Sequence, residues 1–146
     1  MKNDAQADAE ILDELLPEVI RALFPGSDSE PLSELPISQL RVMRLLWKAP
    51  TTSTDLAETL SISAPAVAQV LAKLEAADLI VKECQERDRR TKTIELSEAG
   101  HSLMKERRML RTARAAQVLQ AIDSEDRGAV IAALRKLARS ARKPND

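Results

Sequence analysis

Hydrophobic positions recur along this chain at helical spacing, divided by short polar punctuation. Ile11, Leu12, Leu15, Leu16, Val19, Leu23 and Phe24 fall on one stripe, with Asp8, Glu10, Asp13, Glu14 and Glu18 on the other face. The spacing predicts an amphipathic helix. Pro17 lies inside it and should kink it or divide it in two, because an interior proline removes a donor and costs about 3 kcal/mol. Pro25-Gly26-Ser27 stops this helix, and residues 25–36 carry three prolines and three acids, which predicts a loop. A second helix follows through Leu40, Val42, Met43, Leu45, Leu46 and Trp47, with Ser38 as its cap and Lys48-Ala49-Pro50 as its end. A helix as apolar on one side as the first must pack on something, and a partner subunit is favoured over its own domain.

The centre of the chain changes rhythm. Ser53 or Thr54 caps a short helix to about Leu60, with Leu56, Ala57 and Leu60 inward. Ser61-Ile62-Ser63 is a turn, and Ile62 is placed to plug the angle between helices. Ser63 then caps a helix with Pro65 in its first turn, where a missing amide costs nothing. Val67, Val70, Leu71 and Leu74 face inward; Ala64, Pro65, Ala66, Ala68, Gln69, Ala72 and Lys73 remain outward or flanking. Leu79 to Gln85 reads as a strand, and Thr91 to Leu96 as another with Ile94 and Leu96 inward. Between them, Glu86-Arg87-Asp88-Arg89-Arg90 is too charged to be core. Ser97 caps a long helix to about Ile122. Asp123 or Ser124 caps a last one, with Val130, Ile131, Leu134, Leu137, Ala138 and Ala141 on one stripe. The order is that of a mainly α fold: a winged helix-turn-helix with a two- to three-stranded β-wing, flanked by N- and C-terminal helices that hold two copies together. The expected organisation is 1–36, 37–100 and 101–146, within one structural domain.

A helix-turn-helix sets its second helix in the major groove of DNA, which just admits a helix. Base edges are within reach of Ala64, Pro65, Ala66, Ala68 and Gln69. Only Gln69 carries a hydrogen-bonding head, suited to adenine, while the alanines and Pro65 suit thymine methyls. Lys73 is further along and suits phosphate. Ser53, Ser61 and Ser63 can donate to phosphates beside positive helix N-termini. Arg87, Arg89 and Arg90 at a wing tip suit the narrow minor groove, with Asp88 bracing a neighbouring guanidinium. The plainer alternative is a solvated charged turn.

Charge sharpens this picture. The net charge of −1 does not advertise a nucleic-acid partner, yet residues 1–36 hold nine acids against two bases and residues 101–143 eleven bases against four acids. Opposed ends of this kind can meet within a chain or across a dimer, or stay solvated. A single cysteine, Cys84, forbids an intrachain disulfide and fits a reducing cytoplasm. The acidic start of the chain suits neither a secretory nor a transit peptide, and no apolar run is long enough to span a bilayer. Three glycines build no phosphate loop, and one histidine far from one cysteine has no metal spacing, so an enzyme and any cofactor are not expected. Cys84 reads as packing rather than a redox sensor, His101 as a surface or helix-end residue, and Trp47 as core or pocket wall. Lys105, Arg107, Arg108, Arg111 and Arg114 read as a solvated or intersubunit-pairing face, with DNA backbone or an anion as the other option.

The central residues resemble the MarR-type transcriptional regulators. Ser38 to Leu46 is similar to their LTxxQxxVLxxL, Asp55 to Ser63 to ELAEALGLS, and Val67 to Ile80 to VSRLVDRLEARGLV. Asp88-Arg89-Arg90 with Leu96-Ser97-Glu98-Ala99-Gly100 resembles their wing signature, DxR then LTxxG. The resemblance covers about 38–100 closely and the flanking helices in pattern only. It implies a homodimer on a pseudo-palindromic duplex operator, repression, and release by a small anionic or phenolic molecule or an oxidant. It also implies that Arg90 is the wing arginine, that Asp88 braces it, and that Ser63 and Ala66 touch DNA. Ala68 and Gln69 replace residues often Ser and Arg in the family, so operator preference does not carry over. The lack of tyrosine removes the usual material of an aromatic effector pocket. The rival class is a winged helix that binds protein and not DNA.

Overall fold

The computed structural model describes residues 2–26, 30–85 and 88–142, with side chains placed over 4–26, 30–83 and 92–142. The elements in order are α1 (Lys2–Leu23), α2 (Ile37–Lys48), α3 (Ser53–Leu60), α4 (Ala64–Ala76), β1 (Ile80–Gln85), β2 (Asp88–Leu96), α5 (Glu98–Gln120) and α6 (Ser124–Ser140). The chain forms two compact units. One is Gly26–Leu110; the other joins Met1–Pro25 to Arg111–Asp146.

The first unit holds the core. Val42, Met43 and Leu46 of α2 meet Leu56 of α3, Val67, Leu71 and Leu74 of α4, and Ile80, Ile94 and Leu96 of the hairpin; Leu79 and Met104 complete the cluster. Ile62 is half-buried against this cluster, as its place in the turn predicts, and Trp47 joins it from the end of α2. β1 and β2 pair antiparallel from Ile80↔Leu96 to Gln85↔Asp88, with a register shift between Cys84 and Gln85. Thr51 adds a one-residue third strand: its N–H donates to the Ile94 carbonyl at 3.0 Å and its carbonyl accepts from Ile94 at 2.8 Å.

Several boundaries differ from the sequence reading. Ser38 does not cap α2; Pro36 occupies that position and makes no side-chain bond. Proline needs no donor at a helix start, and its fixed φ suits the first turn. Thr52, not Ser53 or Thr54, caps α3, accepting the Asp55 N–H at 3.2 Å. The signal was present as Thr52-x-x-Asp55, a hydroxyl followed three residues later by an acid. β2 starts at Asp88 and leaves only residues 86 and 87 between the strands. The high charge of 86–90 predicts a five-residue loop, but the backbone of 88–90 continues the antiparallel ladder, which depends on main-chain pairing rather than on side-chain polarity. Asp123 caps α6 without a side-chain bond.

In the second unit α1 is one uninterrupted helix, so Pro17 does not divide it. Ile11, Leu12, Leu15, Leu16, Val19 and Ile20 stay 39–54% exposed, and Val130, Ile131, Leu134 and Leu137 of α6 stay 39–47% exposed. Among the described residues of this unit no two helices pack extensively on each other. Phe24 carries the Arg111 guanidinium over its ring, 3.8 Å from the centroid, so that arginine is not a freely solvated charge. No helix is long and apolar enough to cross a membrane among the described residues.

Candidate nucleic-acid interface

The turn between α3 and α4 sets the angle of the motif. Ser61 adopts the left-handed conformation at φ 53°, its N–H bonds the Glu58 carbonyl, and the next N–H, of Ile62, reaches back to Ala57 at 3.1 Å. This is the Schellman closure, which satisfies the last carbonyls of a helix. Ile62, just past the turn, is anchored by its apolar side chain. α4 ends the same way: Asp78 has φ 56° and Leu79 N–H bonds the Leu74 carbonyl at 3.0 Å. Two left-handed residues that are not glycine thus bracket the recognition helix.

At the start of α4 the Ser63 hydroxyl accepts the Ala66 N–H at 3.3 Å, and Pro65 lies in the first turn. Val67, Leu71 and Leu74 are buried, with Val70 packed beside them. Ala64, Pro65, Ala68, Gln69, Ala72 and Lys73 are exposed; Ala66 is half-buried and its N–H is spent on the cap. Pro65, Gln69 and Ala72, spaced i, i+4, i+7, run down the centre of the exposed face. Gln69 therefore stands among small exposed side chains. Ser53 is exposed at the first position of α3, where helix N–H groups point outward. No acid occurs from Ala64 through Lys73.

The wing is held to this helix by contacts that sequence spacing does not reveal. Lys82 of β1 pairs with Glu75 of α4 at 2.8 Å. Ser97 donates its hydroxyl to the Asp78 carbonyl at 2.5 Å, its N–H bonds the Leu79 carbonyl at 3.0 Å, and its oxygen accepts Gly100 N–H at 3.0 Å. A Cβ at Gly100 would overlap the Leu79 carbonyl oxygen. The Ser-x-x-Gly pattern is therefore the clasp of α5 onto the end of α4. The Arg87 residue and the side chains of Cys84, Asp88, Arg89 and Arg90 lie outside the described residues; the backbone of 88–90 belongs to β2.

The linker before α2 is fastened as well. Glu30 is 5% exposed, and Arg107 of α5 meets its carboxylate at 2.9 Å while donating to the Pro31 carbonyl at 2.9 Å. Arg107, whose place in the sequence suggests a solvated or intersubunit face, instead neutralises a buried acid of its own chain. His101 stacks at a tilt on Trp47, centroids 5.6 Å apart.

A capped helix-turn-helix clasped to a β-hairpin makes this chain a winged helix-turn-helix protein. Residues 33–91 match the model of the MarR family. No curated protein matches it by sequence. Among solved structures it is similar to a MarR-like transcriptional regulator from Thermotoga maritima, with 24% identity, TM-score 0.76, and 92% of this chain and 96% of that one covered. It is also similar to FabT of Streptococcus pneumoniae in complex with DNA (20% identity, TM-score 0.74, 94% and 96% covered). A third likeness is to an S. aureus MepR mutant bound to an oligodeoxyribonucleotide (21% identity, TM-score 0.63, 89% and 97% covered). At these identities the likeness establishes a shared fold.

Proposed function

We propose that the protein is a homodimeric repressor that binds a pseudo-palindromic duplex operator and is released by a small-molecule effector. The observation that carries the DNA reading is the outward face of α4. It starts at a capped, exposed helix N-terminus, offers one amide head among small side chains, and holds no acid from Ala64 through Lys73. Gln69 reads a base edge while Ser53, Ser63 and Lys73 meet phosphates, and Arg87, Arg89 and Arg90 supply wing charge with Asp88 as brace. Ala64, Pro65 and Ala66 offer apolar contact to thymine methyls. Occupying promoter DNA in this way excludes polymerase, which is repression.

Two copies are favoured by the apolar stripes of α1 and α6. Ten large aliphatic side chains stay about half exposed there. Covering the remainder contributes roughly 1 kcal/mol each. For two copies that is about 20 kcal/mol, against an association cost of about 4–15 kcal/mol. The effector reading draws on the solved MepR bound to ethidium, which shows that a protein of this fold takes a small organic cation.

Fluorescence anisotropy with duplex DNA from upstream of the protein's own gene, at two salt concentrations, tests the proposal. Binding should weaken steeply with salt, with a log–log slope near −0.9 per phosphate neutralised. Absence of salt-sensitive binding favours the protein-binding winged helix instead.

A further inference from the structure

We infer that the outer face of α2 is an electrostatic dock for α1 of a second copy of this chain. The inference rests on the homodimer proposed above and says where the acidic first helix goes. α2 contains three bases and no acid. Arg41, Arg44 and Lys48 are all exposed and recur at i, i+3, i+7, so they form one straight ridge about 10 Å long. Ile37, 72% exposed, starts the same stripe. The buried residues of α2, Gln39, Val42, Met43 and Leu46, lie on the opposite side of the helix.

That opposition decides against DNA as the occupant. α2 packs its inner face on the inner face of α4. The reading face of α4 points the other way, so the cationic ridge of α2 turns away from any duplex that α4 engages. An acidic protein surface is what remains. α1 supplies one with matching pitch: Glu10, Glu14 and Glu18 recur at i, i+4, i+8 over about 12 Å and are all exposed. Like charges at this spacing destabilise an isolated helix. Each ladder therefore carries a repulsion that the other relieves. The ladder of α1 lies across the helix from its apolar stripe, so α1 can cover its apolar side on the dimer core while its acidic side meets α2 of the partner copy. The contact ties the DNA-reading unit of one copy to the dimer-forming helix of the other, which sets how the two recognition helices are spaced.

Charge reversal with subunit mixing tests this in the full chain. One variant is Arg41→Glu/Arg44→Glu/Lys48→Glu; the other is Glu10→Lys/Glu14→Lys/Glu18→Lys. A symmetric dimer contains six such pairs, each worth about a factor of two when exposed. Each variant alone should raise the dimer dissociation constant about 60-fold at low salt, by sedimentation equilibrium, with the effect shrinking at high salt. Mixing the two variants should restore tight association as a heterodimer, because both contacts in that pair are then between opposite charges. Circular dichroism on each variant confirms retained helix. Unchanged dissociation constants in dimers that persist overturn the inference and leave the homodimer standing. Weakened dimers that mixing does not rescue also overturn it, since the ladders then pair within one chain or with another helix. A parent that is monomeric at the concentrations used overturns both.

Discussion

Gly100→Ala adds a single methyl where the structure has no room for it. The residue is helical and its φ is unexceptional, so local preference alone favours alanine by about 1 kcal/mol. Its surroundings oppose this. The new Cβ would overlap the Leu79 carbonyl oxygen, which is backbone and cannot swing aside. Relief requires α5 to back away from the end of α4. That motion stretches the Ser97 N–H bond to Leu79 and the Ser97 hydroxyl bond to Asp78. Two hydrogen bonds at about 1 kcal/mol each, with overpacking strain of about 1–3 kcal/mol, outweigh the gain in helix preference. The net loss should be about 2–4 kcal/mol, or about 4–16 °C in Tm for a chain of this size. Gly128→Ala is the internal control: it is also helical, and nothing stands within 4 Å of its added Cβ. That variant should gain about 0.5–1 kcal/mol. Thermal melts followed by circular dichroism measure both. A Gly100→Ala protein as stable as its parent would refute the clasp between α5 and α4.

Other outcomes follow from the same contacts. Arg107→Met leaves the Glu30 carboxylate buried without its guanidinium and should cost about 2–4 kcal/mol in urea unfolding, at the low end of buried-pair losses because Arg107 is partly exposed. Ser61→Gly relieves a left-handed serine and should stabilise by about 0.5–1 kcal/mol in the same assay. Gln69→Ala should relax preference at one base pair per half-site by about 1–3 kcal/mol of discrimination, read by binding to a panel of single-base operator variants; an unchanged preference removes Gln69 as a reader. Arg90→Ala should weaken binding to all duplexes alike and flatten the salt slope, and parent-like anisotropy titrations would remove the wing contact.

Short-range chemistry made much of this protein legible from its residues. Ser63, Pro65 and the apolar series Val67, Leu71 and Leu74 announce α4 because caps and helical spacing are local properties. Ser97 with Gly100 marks the start of α5 for the same reason. The misplacements came where local signals compete. Thr52, Ser53 and Thr54 all carry hydroxyls, and the Asp55 N–H closes on Thr52, three residues before it. Pro17 sits within an unbroken α1 even though proline disfavours helix interiors. Asp88 to Arg90 read as loop from their charge, whereas the backbone of β2 extends through them.

What the sequence determined alone is the set of helices and strands, the inward stripe of each and the small outer face of α4, free of acids from Ala64 through Lys73. These follow from periods of 3.6 and 2 and from turn chemistry, which act over a few residues. What only tertiary structure decided is which partner each charge meets. Glu30 and Arg107 are 77 positions apart, Lys82 and Glu75 sit on different elements, and Asp78 reaches Ser97 across the whole wing. Such pairs depend on how elements stack, and stacking is set by the shared core around Val42, Leu56, Leu74 and Ile94 rather than by any local preference. The same dependence explains why the cationic ridge of α2 gains meaning only once its opposite face is seen to be buried.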